Sequence, residues 1–87
     1  MANPVQRTFG LVGVYDENGE ETSHKVRVMF SSSKAAKRYD LARLQEPCQN
    51  WLDRHYPGET IANDEFDLDN DGEFESAEND DVIVAPQ

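Results

Sequence analysis

The chain has 87 residues, 8 of them basic and 18 acidic, for a formal net charge of −10, with 37 % hydrophobic residues and a single cysteine. That length holds one domain, no apolar run approaches the roughly 20 residues of a membrane-spanning helix, and the lone Cys48 excludes an intrachain disulfide or a multi-cysteine metal site. The acidity disfavours direct contact with nucleic acid or an anionic membrane and favours a basic protein partner or a cation.

Charge divides the chain. Residues 1–58 hold all 8 bases and 7 of the acids, whereas residues 59–87 hold the other 11 acids and no base. The expectation is one domain with a near-neutral core over 1–58 and an acidic segment over 59–87.

The first two elements are strands over 6–15 and 22–30. Asn18-Gly19 between them predicts a two-residue type I′ turn, in which both central residues take positive φ. That turn pairs Leu11 with Val26, Phe9 with Val28 and Arg7 with Phe30. Phe9, Leu11, Tyr15, Val26, Val28 and Phe30 then share one face, with Gly10, Val12 and Val14 on the other.

Ser31-Ser32-Ser33 offers N-caps for a helix whose apolar residues are Ala35, Ala36, Tyr39, Leu41, Ala42 and Leu44. Pro47 has no N–H to continue that helix and suits the first position of a second helical segment. Cys48, Trp51, Leu52 and Tyr56 follow at helical spacing, and Pro57-Gly58 ends the segment. The aromatic and aliphatic residues of this half read as core. His24 and His55 lie on separate elements and read as structural. Gly10-Leu11-Val12-Gly13 lacks the Lys-Ser/Thr of a phosphate loop. There is no HExxH, nucleophile elbow or ordered Ser–His–Asp set, so the expectation is a non-enzyme.

The acidic segment supports two readings. In the first, Phe66, Leu68, Asn70, Gly72, Phe74 and Ser76 alternate with Asp67, Asp69, Asp71, Glu73 and Glu75, as in a hairpin that turns at Asn70-Asp71-Gly72. Its apolar face extends the core and its other face is a block of carboxylates. Like charges opposite one another destabilise a strand pair, so a chain that keeps them has a use for them. Val82-Ile83-Val84 prefers a short terminal strand. The fold class is therefore α+β: an antiparallel hairpin covered by a broken helix, then a second, acidic hairpin and a short strand. The bland alternative is a solvated tail.

The second reading rests on spacing from Asp67. Acids stand at positions one, three and five, Gly72 at six, Glu75 at nine and Glu78 at twelve. This resembles the calcium loop of the EF-hand family. The resemblance implies calcium held by Asp67, Asp69, Asp71 and Glu78 through side chains, by Glu73 through its carbonyl, and by Glu75 directly or through water. It requires helices on both sides of 67–78, whereas the hairpin requires strands.

The small hairpin–helix architecture with concentrated acidity resembles phage-encoded inhibitors of nucleic-acid-binding machinery, the anti-CRISPR and anti-restriction proteins that imitate DNA. No motif carries that likeness, so it transfers no residues. It implies a basic nucleic-acid-binding protein as partner, no direct nucleic-acid or membrane contact, and a place in the host cytoplasm. Met1-Ala2-Asn3-Pro4 does not start a basic-then-apolar leader, which agrees with that place. The contacts expected from clustering are Glu59, Asp64, Asp67, Asp69, Asp71, Glu73, Glu75, Glu78, Asp80 and Asp81. Glu17, Glu20 and Glu21 form a lesser patch at the first turn.

Overall fold

The computed structural model describes residues 3–70 and 77–86. Among them the order is β1 (Val5–Tyr15), β2 (Glu21–Phe30), α1 (Ser33–Lys37), α2 (Leu41–His55), β3 (Thr60–Ile61), β4 (Asp67–Asp69) and β5 (Val82–Val84). The α+β class and the leading hairpin are as expected.

The turn between β1 and β2 is not type I′. Only Gly19 takes positive φ, +78°, and no non-glycine residue does. Asp16 decides the geometry. Its Oδ1 accepts the N–H groups of Asn18 at 2.9 Å and Glu20 at 3.0 Å, and its carbonyl accepts the Gly19 N–H at 3.0 Å. A side chain that satisfies the turn's donors favours a three-residue loop closed by a left-handed glycine. That loop shifts the pairing by one residue. A second shift lies between Leu11 and Val14, where Val12 and Gly13 together oppose Ser23.

The two shifts add. Phe9 pairs with Val26 and Arg7 with Val28, and Leu11 meets His24. A slip of two residues preserves which face a side chain occupies. Phe9, Leu11, Val26, Val28 and Phe30 therefore still point into the core, each 3 % exposed or less. Beyond the bulge the parity reverses: Val14 is buried, and Tyr15, expected on the core face, is only half-buried.

The helix breaks at Arg38–Asp40 rather than at Pro47, which lies inside α2. Ser32 Oγ caps α1 at Ala35 N–H (3.1 Å), and Asp40 Oδ1 caps α2 at Ala42 N–H (3.0 Å). With a strong cap at Asp40, Pro47 forfeits one helical hydrogen bond. The stripe Leu44, Cys48, Trp51 and Leu52, all buried, outweighs that loss. Burial pushes the Cys48 thiol up to about 12, which makes it an inert core group.

The acidic third joins the sheet on both sides of the hairpin. The strand order is β3-β1-β2-β5, with β4 also on β1. β4 pairs antiparallel with residues 10–12 of β1, and β3 pairs with Val14 and Tyr15. β5 runs parallel to β2, with Val28 opposite Ile83. Each of these short strands puts one apolar side chain into the core: Ile61, Leu68 and Ile83, all 5 % exposed or less. Burying a residue of that size contributes about 1.5–3 kcal/mol, which offsets the mutual repulsion of the acids on the same ribbon. The alternation expected over 66–69 is present. Asn70 is exposed after β4, and the rest of the expected turn, Asp71-Gly72, with its return arm through Glu73 and Glu75, lies outside the described residues.

Candidate interaction surface

Gly13 takes φ +82°, and an added Cβ there would stand 2.5 Å from the Glu65 carbonyl carbon. The turn at 62–65 therefore lies directly against the β1 bulge. It is held by Ala62 N–H donating to the Gly13 carbonyl at 2.8 Å, and by Phe66 N–H donating to the Ala62 carbonyl at 2.9 Å. This docking delivers the chain to β4. Leu68 points into the core while Asp67 and Asp69 point outward and are exposed. The Asp69 Cβ is 3.7 Å from where a Cβ on Gly10 would stand, so the two share the sheet face away from the helices.

Asp64 and Glu65 are exposed on the preceding turn. Tyr15 reaches them: its hydroxyl donates to Glu65 Oε1. That bond, slight burial, and the charges of Glu65, Glu21 and Asp64 push the phenol up to about 12. Glu21 pairs with Tyr15 across the hairpin. Glu21, Glu65 and Asp64 thus gather at Tyr15, whereas Asp67 and Asp69 stand on β4 opposite Val12 and Gly10. There burial, together with the Asp67 charge, raises the Tyr39 phenol. Alternate strand residues stand about 6.7 Å apart, so Asp67 and Asp69 repel by only about 0.6 kcal/mol in water, and by less in salt.

The ten expected contacts do not form one block. Asp80 and Asp81 lie beside β5, across the hairpin from β4. Asp81 accepts from Arg54 Nε at 2.8 Å and lies 2.7 Å from His55 Nε2. Those two partners hold its carboxyl below the usual range. Glu59 and Glu78 are turned toward His24. Glu59 Oε1 accepts from Thr22 Oγ1 and lies 2.7 Å from His24 Nε2. Glu78 accepts from the Lys25 N–H at 3.0 Å and the Tyr56 hydroxyl at 2.6 Å, and lies 3.1 Å from His24 Nδ1. Burial pushes the Glu78 carboxyl up, but the Tyr56 hydroxyl, the Lys25 amide and His24 together hold it below its ordinary value. The same bond raises the Tyr56 phenol. Glu17 and Glu20 are exposed at the hairpin tip.

Asp71, Glu73 and Glu75 fall outside the described residues. Around them, 60–61, 67–69 and 82–84 are strands and 63–65 is a turn, so the helical flanks that the calcium-loop resemblance requires are not formed. Among the described residues no group of three His, Cys, Asp or Glu side chains is placed to hold a metal ion, and no helix is long and apolar enough to cross a membrane.

Sequence reasoning passed over Glu65, Tyr15, Tyr56 and the role of His24. One signal was available: His24 alternates with Val26, Val28 and Phe30, and a histidine on a core face needs buried partners. No family model matches the chain, and comparison with curated proteins and with solved structures returns no match.

Proposed function

We propose that the protein is a non-enzymatic inhibitor that lays a carboxylate row into a basic, nucleic-acid-binding groove of a partner protein, in the manner of anti-CRISPR and anti-restriction DNA mimics acting in a host cytoplasm. The observation that carries this reading is the outward placement of Asp67 and Asp69 on β4, next in the chain to the exposed turn acids Asp64 and Glu65. A groove built for B-DNA meets one negative charge per ~3.4 Å of axis on each strand. The β4 row offers one carboxylate per roughly two such steps, on a backbone already ordered by sheet pairing. A prearranged row loses little freedom on docking, and its field speeds encounter with a cationic cleft.

The test uses fluorescent duplex DNA loaded onto a panel of purified CRISPR effector complexes and restriction enzymes. The protein displaces duplex from at least one of them, less effectively as salt rises. The double variant Asp67→Lys/Asp69→Lys fails to displace it while keeping its circular dichroism and melting temperature. Displacement that survives the reversal, or no displacement from any member at any salt, overturns the reading.

A further inference from the structure

Two carboxylates that flank the acidic row in the chain, Glu59 and Glu78, face the same side chain. His24 sits on β2, 8 % exposed, with its ring stacked on Tyr56 at a centroid distance of 4.0 Å and an interplanar angle of 29°. Trp51 of α2 flanks it at 6.0 Å. Nε2 faces Glu59, the residue just before β3, and Nδ1 faces Glu78, the residue after the segment that follows β4. β3 and β4 lie between these two residues in the chain, so the stretch that holds the row is bounded on both sides by a carboxylate facing one imidazole.

We infer that Glu59 and Glu78 form a clasp on the buried His24 ring that sets the position of the acidic row, with His24 as a positioning residue that itself touches no partner. The inference deepens the reading of the row as a docking surface and rests on it for its functional consequence. The chemistry of the clasp stands apart from that reading.

Three features make the cluster a clasp rather than two separate anchors. First, the Glu59 carboxylate is tied on its own side by Thr22 Oγ1, and the Glu78 carboxylate by the Lys25 N–H and the Tyr56 hydroxyl, so each has a seat on the hairpin or helix as well as on the ring. Second, Tyr56 closes a cycle: it stacks on His24 and donates to Glu78, whose other oxygen faces His24. Third, the two carboxylates are 16 % and 27 % exposed and face a common ring, so removing the ring leaves two half-buried negative charges turned toward each other. Ionised carboxylates only accept hydrogen bonds, so neither can replace the lost donor for the other. Ring loss therefore releases one of the two carboxylates, whereas deleting one carboxylate slackens the ring's hold on the other.

That cross-talk is the test. Backbone amide hydrogen exchange is followed by NMR on the full-length chain for wild type, Glu59→Ala, Glu78→Ala, His24→Gln, and His24→Gln combined with Glu78→Ala. With a clasp, Glu59→Ala speeds exchange in β5 and at Lys25 at least tenfold, although the Glu59 carboxylate is seated on Thr22 and His24. Glu78→Ala does the same at Ile61. Both speed exchange at Leu68 and Asp69, while Val26 and Val28 keep their protection. Adding Glu78→Ala to His24→Gln changes β4 exchange by less than twofold. If each carboxylate variant loosens only its own end, or the two changes act additively, the clasp is refuted. Uniform loss of protection, Val26 and Val28 included, refutes it as well, since the effect is then only global stability. The duplex-displacement assay on the same variants separates the two ideas. Cross-talk with undiminished displacement sinks the functional link and leaves the clasp, whereas independent ends with intact displacement sink the clasp and leave the docking surface.

Discussion

Gly13 and Gly19 share a left-handed backbone, with φ +82° and +78°, but have different surroundings. An alanine methyl at Gly19 would meet nothing within 4 Å. At Gly13 it would stand 2.5 Å from the Glu65 carbonyl carbon, 2.6 Å from its oxygen and 2.8 Å from Phe66 N, all backbone atoms. Gly19→Ala therefore costs only the left-handed conformation, about 1–2 kcal/mol. Gly13→Ala costs the same and also pushes the 62–65 turn away. That adds the Ala62 N–H to Gly13 carbonyl bond, worth about 1 kcal/mol, and part of the packing of half-buried Phe66, about 1 kcal/mol more. The difference between the variants is about 2 kcal/mol, or roughly 30-fold in the folding equilibrium. Domains of this size have only about 4–13 kcal/mol in total. Urea unfolding at neutral pH, with matched m-values, reads the difference directly. Equal costs within about 0.5 kcal/mol would refute both the close approach and the account of how β4 is delivered to its place.

Two pH effects follow from the partners described above. Asp81 and Glu78 are held below the ordinary carboxylate range, so the unfolded chain takes up their protons first as pH falls. Their contribution is complete above the ordinary value near 4 and disappears as pH drops through the folded values. Asp81→Asn and Glu78→Gln should each flatten the stability curve between about pH 5 and pH 2, and an acid limb unchanged by both would count against these pairings. Tyr15, pushed up to about 12 from 10.0, keeps its proton where the unfolded chain has lost it, so stability falls as pH rises through that window. In an absorbance titration of phenolate, Glu65→Gln should return one of the three tyrosines toward 10.0, and an unmoved curve would contradict the Tyr15–Glu65 bond.

The hairpin was legible because alternation is robust to an even slip. Phe9, Leu11, Val26, Val28 and Phe30 face the core in either register. The bulge was not legible, because its cause lies in the turn at 62–65, which is distant in the chain and close only after folding. Pro47 misplaced the helix break because local propensity says nothing of the stripe Leu44, Cys48, Trp51 and Leu52 that carries α2 through it. In the acidic third, the alternation around Leu68 located β4 and its outward carboxylates. It could not distinguish Asp67 and Asp69, which face solvent, from Glu59, Glu78 and Asp81. The latter three differ only in lying near His24, Tyr56, Arg54 and His55, and those neighbours are brought there by the tertiary fold.

The placement of β3, β4 and β5 has a consequence for solubility. A bare two-stranded ribbon of this length would present two long rows of unsatisfied amides and carbonyls, ready to recruit the same ribbon from another molecule. Here β3 and β4 cover residues 10–12 and 14–15 of β1, and β5 covers residues 27–29 of β2, which shortens the rows open to such pairing. The acids that the segment brings with it keep neighbouring molecules apart. A version cut after Gly58 should therefore self-associate through its uncovered strands, even though it would carry almost no net charge to lose.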